Sequence, residues 1–228
     1  MQLVTVAGPP SAGKTSVLLK VMASFQKNGT RVGVVKFDCL STKDRELFLS
    51  KGLVVQVGLS GNLCPDHFFA TNIQHCLEWA QSQELDMLVS ESAGLCNRCS
   101  PHIRGALAVC VVDNLSGVHT PQKIGPMLKL ADVIVITKGD IVSQAEREVF
   151  AFRVRQANPE AIIVRVNGLT GQGALEVGRL FAKAPGLDSL VNCQLRFSLP
   201  AATCSYCLGQ TRIGESFQMG NVKKMEFM

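Results

Sequence analysis

The sequence is poor in large aromatics with polar tips, having one Trp and one Tyr in 228 residues. It also lacks an apolar stretch long enough to span a bilayer, which excludes a membrane-crossing helix. No basic segment precedes the first hydrophobic run. That run, in MQLVTVAGPP, stops at a Gly-Pro-Pro turn and reads as a buried strand, not as a secretory signal. Charge of one sign is not concentrated anywhere: the formal net charge is +5, and apart from Lys223 and Lys224 the basic residues are dispersed. Without basic residues interleaved with aromatics, specific nucleic-acid binding has little support. With no export signal, the expected location is cytoplasmic, and reduced thiols there argue against a disulfide framework.

What is present in surplus is cysteine, nine residues, and glycine, twenty. Cys110, inside LAVCVVD, and Cys76, inside NIQHCLEWA, read as small buried hydrophobes. The pairs Cys96/Cys99 in ESAGLCNRCSPH and Cys204/Cys207 in CSYC read differently. Two cysteines three apart in loops flanked by Gly or Pro face one small volume.

Seven strand-like runs punctuate the chain: Leu3 to Ala7, Arg31 to Lys36, Leu53 to Val57, Leu85 to Ser90, Leu107 to Asp113, Val133 to Thr137 and Ile162 to Val166. Several are apolar throughout instead of alternating, as in parallel strands covered by helices on both faces. Helical patterns lie between most of them: Lys14 to Lys27, Phe68 to Gln83, Thr120 to Leu130, Ser143 to Gln156 and Gly173 to Ala182. The alternation specifies a three-layer α/β fold with a mostly parallel sheet. After Pro185 the pattern lapses. The expected organisation is a nucleotide-binding domain over residues 1–184 and a short cysteine-containing appendage over 185–228, held by a metal if it is to be independent.

The first strand runs directly into GPPSAGKTS. This is the G-x-x-x-x-G-K-[ST] phosphate loop in its strand–loop–helix setting, and it makes the fold a P-loop NTPase. Gly8 and Gly13 let the loop wrap a phosphate, and the amides of Ser11, Ala12, Gly13 and Ser16 face the anion. Lys14 can bridge the terminal phosphates, and Thr15 can ligate Mg²⁺. Asp38, at the end of VGVVKFD, and Glu91, after LDMLVS, stand where acidic residues reach that metal or its water. Gly94 would let the Glu91 loop respond to a γ-phosphate. In VIVITKGD, the Asp140 carboxylate can accept the two donors of a guanine edge, with Lys138 lying along the base. VNGLTGQG, from Val166, could close over the base edge. GTP is therefore favoured over ATP.

The ordered set GPPSAGKTS, VVKFD, VSESAG, ITKGD and VNGLTGQG resembles the HypB/UreG group of metallochaperone GTPases, within the SIMIBI class. These proteins deliver nickel during hydrogenase and urease maturation. The resemblance covers roughly the first 180 residues. It implies that Lys14 and Thr15 serve phosphate and magnesium, that Asp38 and Glu91 are acidic residues of the metal site, and that Lys138 and Asp140 read guanine. Those relatives carry Asn where this chain has Thr137, which implies the loss of an amide that stabilises the loop. They often place Cys-Pro-His or Cys-His near a nucleotide-gated dimer interface. The nearest match here is CPDH, Cys64 to His67, with Asp66 interposed, and neither CNRC nor CSYC is standard. The resemblance therefore implies a homodimer and a client metalloenzyme or its maturation proteins as partners.

Cys96 and Cys99 alone make an incomplete site, so other ligands are required. Four arrangements could supply them: Cys204/Cys207, Cys64 with His67, His102, or the same pair from a second subunit. Thiolates favour Zn²⁺ or a [4Fe–4S] cluster over hard cations, and Ni²⁺ is compatible. The leading expectation is a slow Mg²⁺-dependent GTPase coupling nucleotide state to metal delivery. One alternative is an ATPase of the nitrogenase-iron-protein type that carries a cluster and transfers electrons. A nucleotide-gated binding module is another.

Overall fold

The computed structural model describes residues 1–95, 99–197, 210–218 and 222–227. All seven expected strands form a single sheet: β1 (Gln2–Ala7), β2 (Val32–Asp38), β3 (Val54–Leu59), β4 (Met87–Ser92), β5 (Leu107–Asp113), β6 (Val133–Thr137) and β7 (Ile162–Arg165). Their order is β3-β2-β4-β1-β5-β6-β7, and every pairing is parallel. Every residue of β4 and β6 is buried, which accounts for their unbroken apolar reading and for the placement of helices on both faces.

Among the described residues, α-helices connect or cover the strands: α1 (Lys14–Lys27), α2 (Asp44–Leu49), α3 (Pro65–Ser82), α4 (Thr120–Lys123), α5 (Pro126–Lys129), α6 (Gln144–Ala157) and α7 (Ala174–Phe181). On one face α1 and α7 pack Val17, Leu18, Val21, Met22, Val177 and Phe181 against Val4, Val6, Val34 and Val89. On the other, α3 sets Phe68, Phe69, Ile73 and Leu77 against Leu3, Val35, Phe37 and Leu88. Beside that cluster, α6 sets Phe150 and Val154 against Ile134 and Ile136. Consecutive strand residues thus serve opposite layers, and each large side chain fully buried this way contributes about 1.5–3 kcal/mol.

Two elements differ from expectation. The short α2 forms in a stretch for which the sequence gives no helical pattern. The helix expected over Thr120–Leu130 is two short helices, broken at Gly125, whose φ is 66°, and at Pro126, which has no N–H to continue the ladder.

Beyond Pro185, Leu190, Ile213 and Met225 join the α3 core. Arg196 fastens this segment: its guanidinium makes two 2.7 Å bonds to Asp132 and donates to the carbonyls of Ile103, Ala106 and Leu130. Phe227 stacks on Trp79. Cys204 and Cys207 lie outside the described residues.

Candidate functional site

Because β1 is central, the loop that follows it opens between its neighbours β4 and β5. Two close backbone approaches hold this loop. A Cβ on Gly8 (φ 145°) would lie 2.0 Å from the Val111 carbonyl oxygen, and one on Gly94 (φ 70°) would lie 1.8 Å from that of Gly8. Only glycine fits either position. The loop after β4 therefore rests directly on the phosphate loop. Lys14 is buried, and its ammonium donates to the carbonyls of Gly8 and Pro9 at 2.9 Å and of Ala93 at 3.5 Å. Burial lowers its pKa, a loss the nearby Glu91 carboxylate partly offsets.

Next to the lysine is a cluster of hard oxygen donors. The Thr15 hydroxyl donates to Asp44 Oδ2 at 3.2 Å and to Glu91 at 2.9 and 3.1 Å. Lys36, from inside β2, places its ammonium 2.5 Å from Glu91 Oε1 and 2.8 Å from Asp44 Oδ2. Burial works against its charge, but the Glu91 charge and the hydrogen bonds the ammonium donates to Asp44 and Glu91 raise its pKa overall. Asp38 lines the same pocket, and its carboxylate also accepts the Cys39 amide at 2.8 Å. A hydroxyl with two or three carboxylates beside a phosphate loop is a donor set that fits Mg²⁺. Sequence reasoning missed Lys36 and Asp44.

At the end of β6, the Thr137 hydroxyl donates to the Ala12 carbonyl at 2.6 Å, tying this strand to the phosphate loop. Asn114 donates its side-chain amide to the Thr137 carbonyl at 2.7 Å. The bracing amide implied to be missing is thus supplied from another strand end, and the hydroxyl spans to the loop itself. Lys138 adopts a left-handed conformation (φ 56°) and faces Asp113 at 3.7 Å, leaving Asp140 exposed at the rim of a cleft that Asn114, Asn167 and Gln172 also line.

On the opposite face of the sheet lie the thiols. Pro65 opens α3 with its fixed φ, which places Cys64 at the helix N-cap. Cys64, Asp66 and Cys99 converge, their donor atoms all within 4.8 Å of one another. The Cys99 side chain bonds to both Cys64 and Asp66. That bond is the main cause drawing the Cys64 thiol down to about 6, and burial pushes the Asp66 carboxyl up to about 7. Two sulfurs and a carboxylate suit a borderline divalent ion such as Zn²⁺ or Ni²⁺ better than a hard one. His67 is buried and lines the same pocket, beside the three converging donors. Cys96 lies outside the described residues. His102 is wholly buried, its ring between the Thr5 hydroxyl (3.0 Å) and the Met127 carbonyl (2.9 Å). Cys76 and Cys110 are also fully buried, and burial raises both thiols, Cys110 to about 12.

The two donor sets meet at the end of β4. Glu91 belongs to the oxygen cluster, while the next residue, Ser92, donates its hydroxyl to Asp66 Oδ1 at 3.1 Å. Strand alternation sends the consecutive side chains to opposite faces of the sheet.

A parallel sheet with a phosphate loop after its central strand, cradled on glycine backbone, defines a P-loop nucleotide-binding protein of the three-layer α/β class. A sequence model of the CobW/HypB/UreG nucleotide-binding domain matches residues 2–165. The chain belongs to that family. It is 44% identical over 226 residues to the uncharacterised protein MJ0120 of Methanocaldococcus jannaschii, covering 99% of this chain and 97% of that one. It is 28% identical over 187 residues to the urease accessory protein UreG of Trichodesmium erythraeum, covering 75% and 86% of the two chains. Among solved structures, the hydrogenase maturation factor HypB of Archaeoglobus fulgidus superposes with a TM-score of 0.65 at 22% identity, over 80% of this chain and 89% of that one. HypB of Helicobacter pylori, solved in complex with nickel, superposes with a TM-score of 0.64 at 18% identity, covering 80% and 86%. Among the described residues no helix is long and apolar enough to cross a membrane.

Proposed function

We propose that this protein is a nucleotide-hydrolysing maturation factor that couples its nucleotide state to the holding and release of a thiol-bound metal ion, its cargo for a client metalloenzyme. The observation that carries this reading is the junction at the end of β4, where Glu91 faces the phosphate pocket and Ser92 bonds to Asp66 of the thiol cluster. Lys14 binds the terminal phosphates, and Thr15, Asp44 and Glu91, with Asp38 nearby, hold Mg²⁺. When bound with nucleotide, Mg²⁺ supplies charge neutralisation at the phosphate oxygens. Lys138 and Asp140 read the base and favour GTP. Turnover by the protein alone is slow, because among the described residues no strong base stands beside the phosphate loop.

Cargo binds between Cys64, Asp66 and Cys99, with Zn²⁺ or Ni²⁺ as the ions those donors suit. A homodimer would let a second copy complete the coordination. The electron-transfer alternative is not favoured, since a carboxylate stands among the converging thiols and the family match is to the CobW/HypB/UreG domain, with a urease accessory protein among the relatives. The test is anaerobic titration of Ni²⁺ and Zn²⁺ into the full chain, loaded with GDP or with a non-hydrolysable GTP analogue. Metal affinity should differ at least about fivefold between the two states. Cys64→Ala/Cys99→Ala should abolish that difference and still bind nucleotide. Equal metal affinity in both states, or unchanged binding by the double variant, would refute the coupling.

A further inference from the structure

Two lysines enter the phosphate pocket, and the structure gives them different partners. Lys14, from the phosphate loop, is held by three carbonyl oxygens and no carboxylate. Lys36 reaches the pocket from the middle of β2, where it is 5% exposed, and its ammonium lies between Glu91 and Asp44. Those two carboxylates are the oxygens that the Thr15 hydroxyl also contacts, at 2.9–3.2 Å. Glu91 itself is 1% exposed, so water does little for its charge. A buried carboxylate needs a counter-cation, and here the chain carries one covalently. No sequence feature of a phosphate loop requires a lysine at this place.

We propose that Lys36 is a built-in rival of Mg²⁺ for the Thr15–Asp44–Glu91 oxygens, so that the protein takes up the divalent cation only together with nucleotide phosphate. This inference rests on the nucleotide-site reading above and adds a regulatory residue to it. An ammonium and a divalent cation cannot share these oxygens without mutual repulsion in a pocket of low dielectric. Without nucleotide, the Lys36 ammonium already cancels one of the two carboxylate charges and occupies an oxygen of each, so Glu91 and Asp44 offer less to a second cation. A bound triphosphate brings several negative charges to the same pocket. The Lys36 ammonium can then turn to a phosphate oxygen and leave the carboxylates to the metal. Asp38 shares the face of β2 with Lys36, two residues on, and lies at the pocket edge as a further carboxylate for either cation. The consequence is selectivity of order: free divalent ions, including cargo metals, are kept off the oxygen site until nucleotide arrives.

The experiment uses Mn²⁺ as a spectroscopic stand-in for Mg²⁺, titrated into the full-length protein and followed by electron paramagnetic resonance. With no nucleotide present, Lys36→Met should bind Mn²⁺ at least about tenfold tighter than the parent. Lys36→Arg, which keeps the charge, should remain as weak as the parent. Lys36→Met/Glu91→Gln should lose the gain, which assigns it to this site. If Lys36→Met proves unstable, Lys36→Gln takes its place, with folding checked by circular dichroism. Mn²⁺ binding by a folded Lys36→Met or Lys36→Gln as weak as the parent's overturns the inference. Tight Mn²⁺ binding by the parent without nucleotide overturns it equally. A parallel titration with a fluorescent GDP in excess EDTA tests nucleotide binding by itself, so failure of the underlying reading is seen separately.

Discussion

Replacing Thr137 by Val removes one hydroxyl while conserving shape, and so isolates the bond between the base-side strand and the phosphate loop. The hydroxyl donates to Ala12 at 2.6 Å in a fully buried setting, and its loss leaves that carbonyl without this donor. A neutral hydrogen bond contributes about 0.5–1.5 kcal/mol net, and a buried group left unpaired costs about 1–3 kcal/mol. The Thr137 side chain stands beside Gly13, where an added Cβ would lie 3.7 Å from its Cγ2, so valine keeps that neighbour and loses the bond. A cost of about 1–2 kcal/mol in loop order follows, or about 5- to 30-fold in nucleotide affinity. The assay is equilibrium titration with fluorescent GDP and ATP analogues, beside thermal melts without ligand. Because the bond acts on the phosphate loop, affinity for guanine and adenine nucleotides should fall in parallel. Thr137→Asn, whose amide can span the same gap, should restore most of it. A valine variant with unchanged affinity and melting temperature would refute the bracing role, and loss confined to guanine nucleotides would relocate it to base reading.

Asp140→Asn should reverse the base preference, costing about 1.5–3 kcal/mol in GTP binding, roughly ten- to a hundred-fold, while favouring xanthine nucleotides. Competition among GTP, XTP and ATP reads it, and an unchanged order places base reading elsewhere. His102 makes stability depend on pH. Burial lowers its pKa to about 4, below the ordinary 6.5, despite the bond to the Met127 carbonyl. Below pH 6.5 the unfolded chain takes up a proton that the folded chain refuses, so stability falls as pH drops from 6.5 towards 4. The loss approaches about 3 kcal/mol. Asp66, raised to about 7, works in the opposite direction, so the comparison is between parent and His102→Gln by urea unfolding. The destabilisation caused by that substitution should shrink as pH falls through this window, and a gap independent of pH would refute the assignment.

The sheet was legible because its inner parallel strands are buried, β4 and β6 at every residue, and so write themselves as continuous apolar runs. The helix α2 was not: its six residues, DRELFL, are too few to show a helical period, and only Phe48 is buried. Of the site, the phosphate loop follows from a motif whose spacing is fixed by backbone geometry, and Glu91 from its place directly after the apolar run LDMLVS. Lys36 left a signal that went unread, a lone charge inside VGVVKFD, two residues from Asp38 and hence on the same face of the strand. Asp66 was seen only as an intruder between proline and histidine. The convergence of Cys64 with Cys99 was one among four open arrangements. Only the crossing of α3 over the end of β4 brings these distant residues together, and local pattern carries no record of that crossing.

The adjacency of Glu91 and Ser92 places the link between the two pockets in covalent geometry. Neighbouring residues on a pleated strand are about 3.4 Å apart along the chain and share one peptide plane. A twist of the end of β4 that draws one side chain towards its pocket must swing the other. The ligands on either side could be exchanged over evolution, sulfur for imidazole or one carboxylate for another, and the mechanical connection would persist. A single-residue insertion before Glu91 would do what no ligand substitution can: it would carry the glutamate to the place Ser92 now holds, putting the carboxylate beside the thiols and the inserted residue at the phosphate pocket.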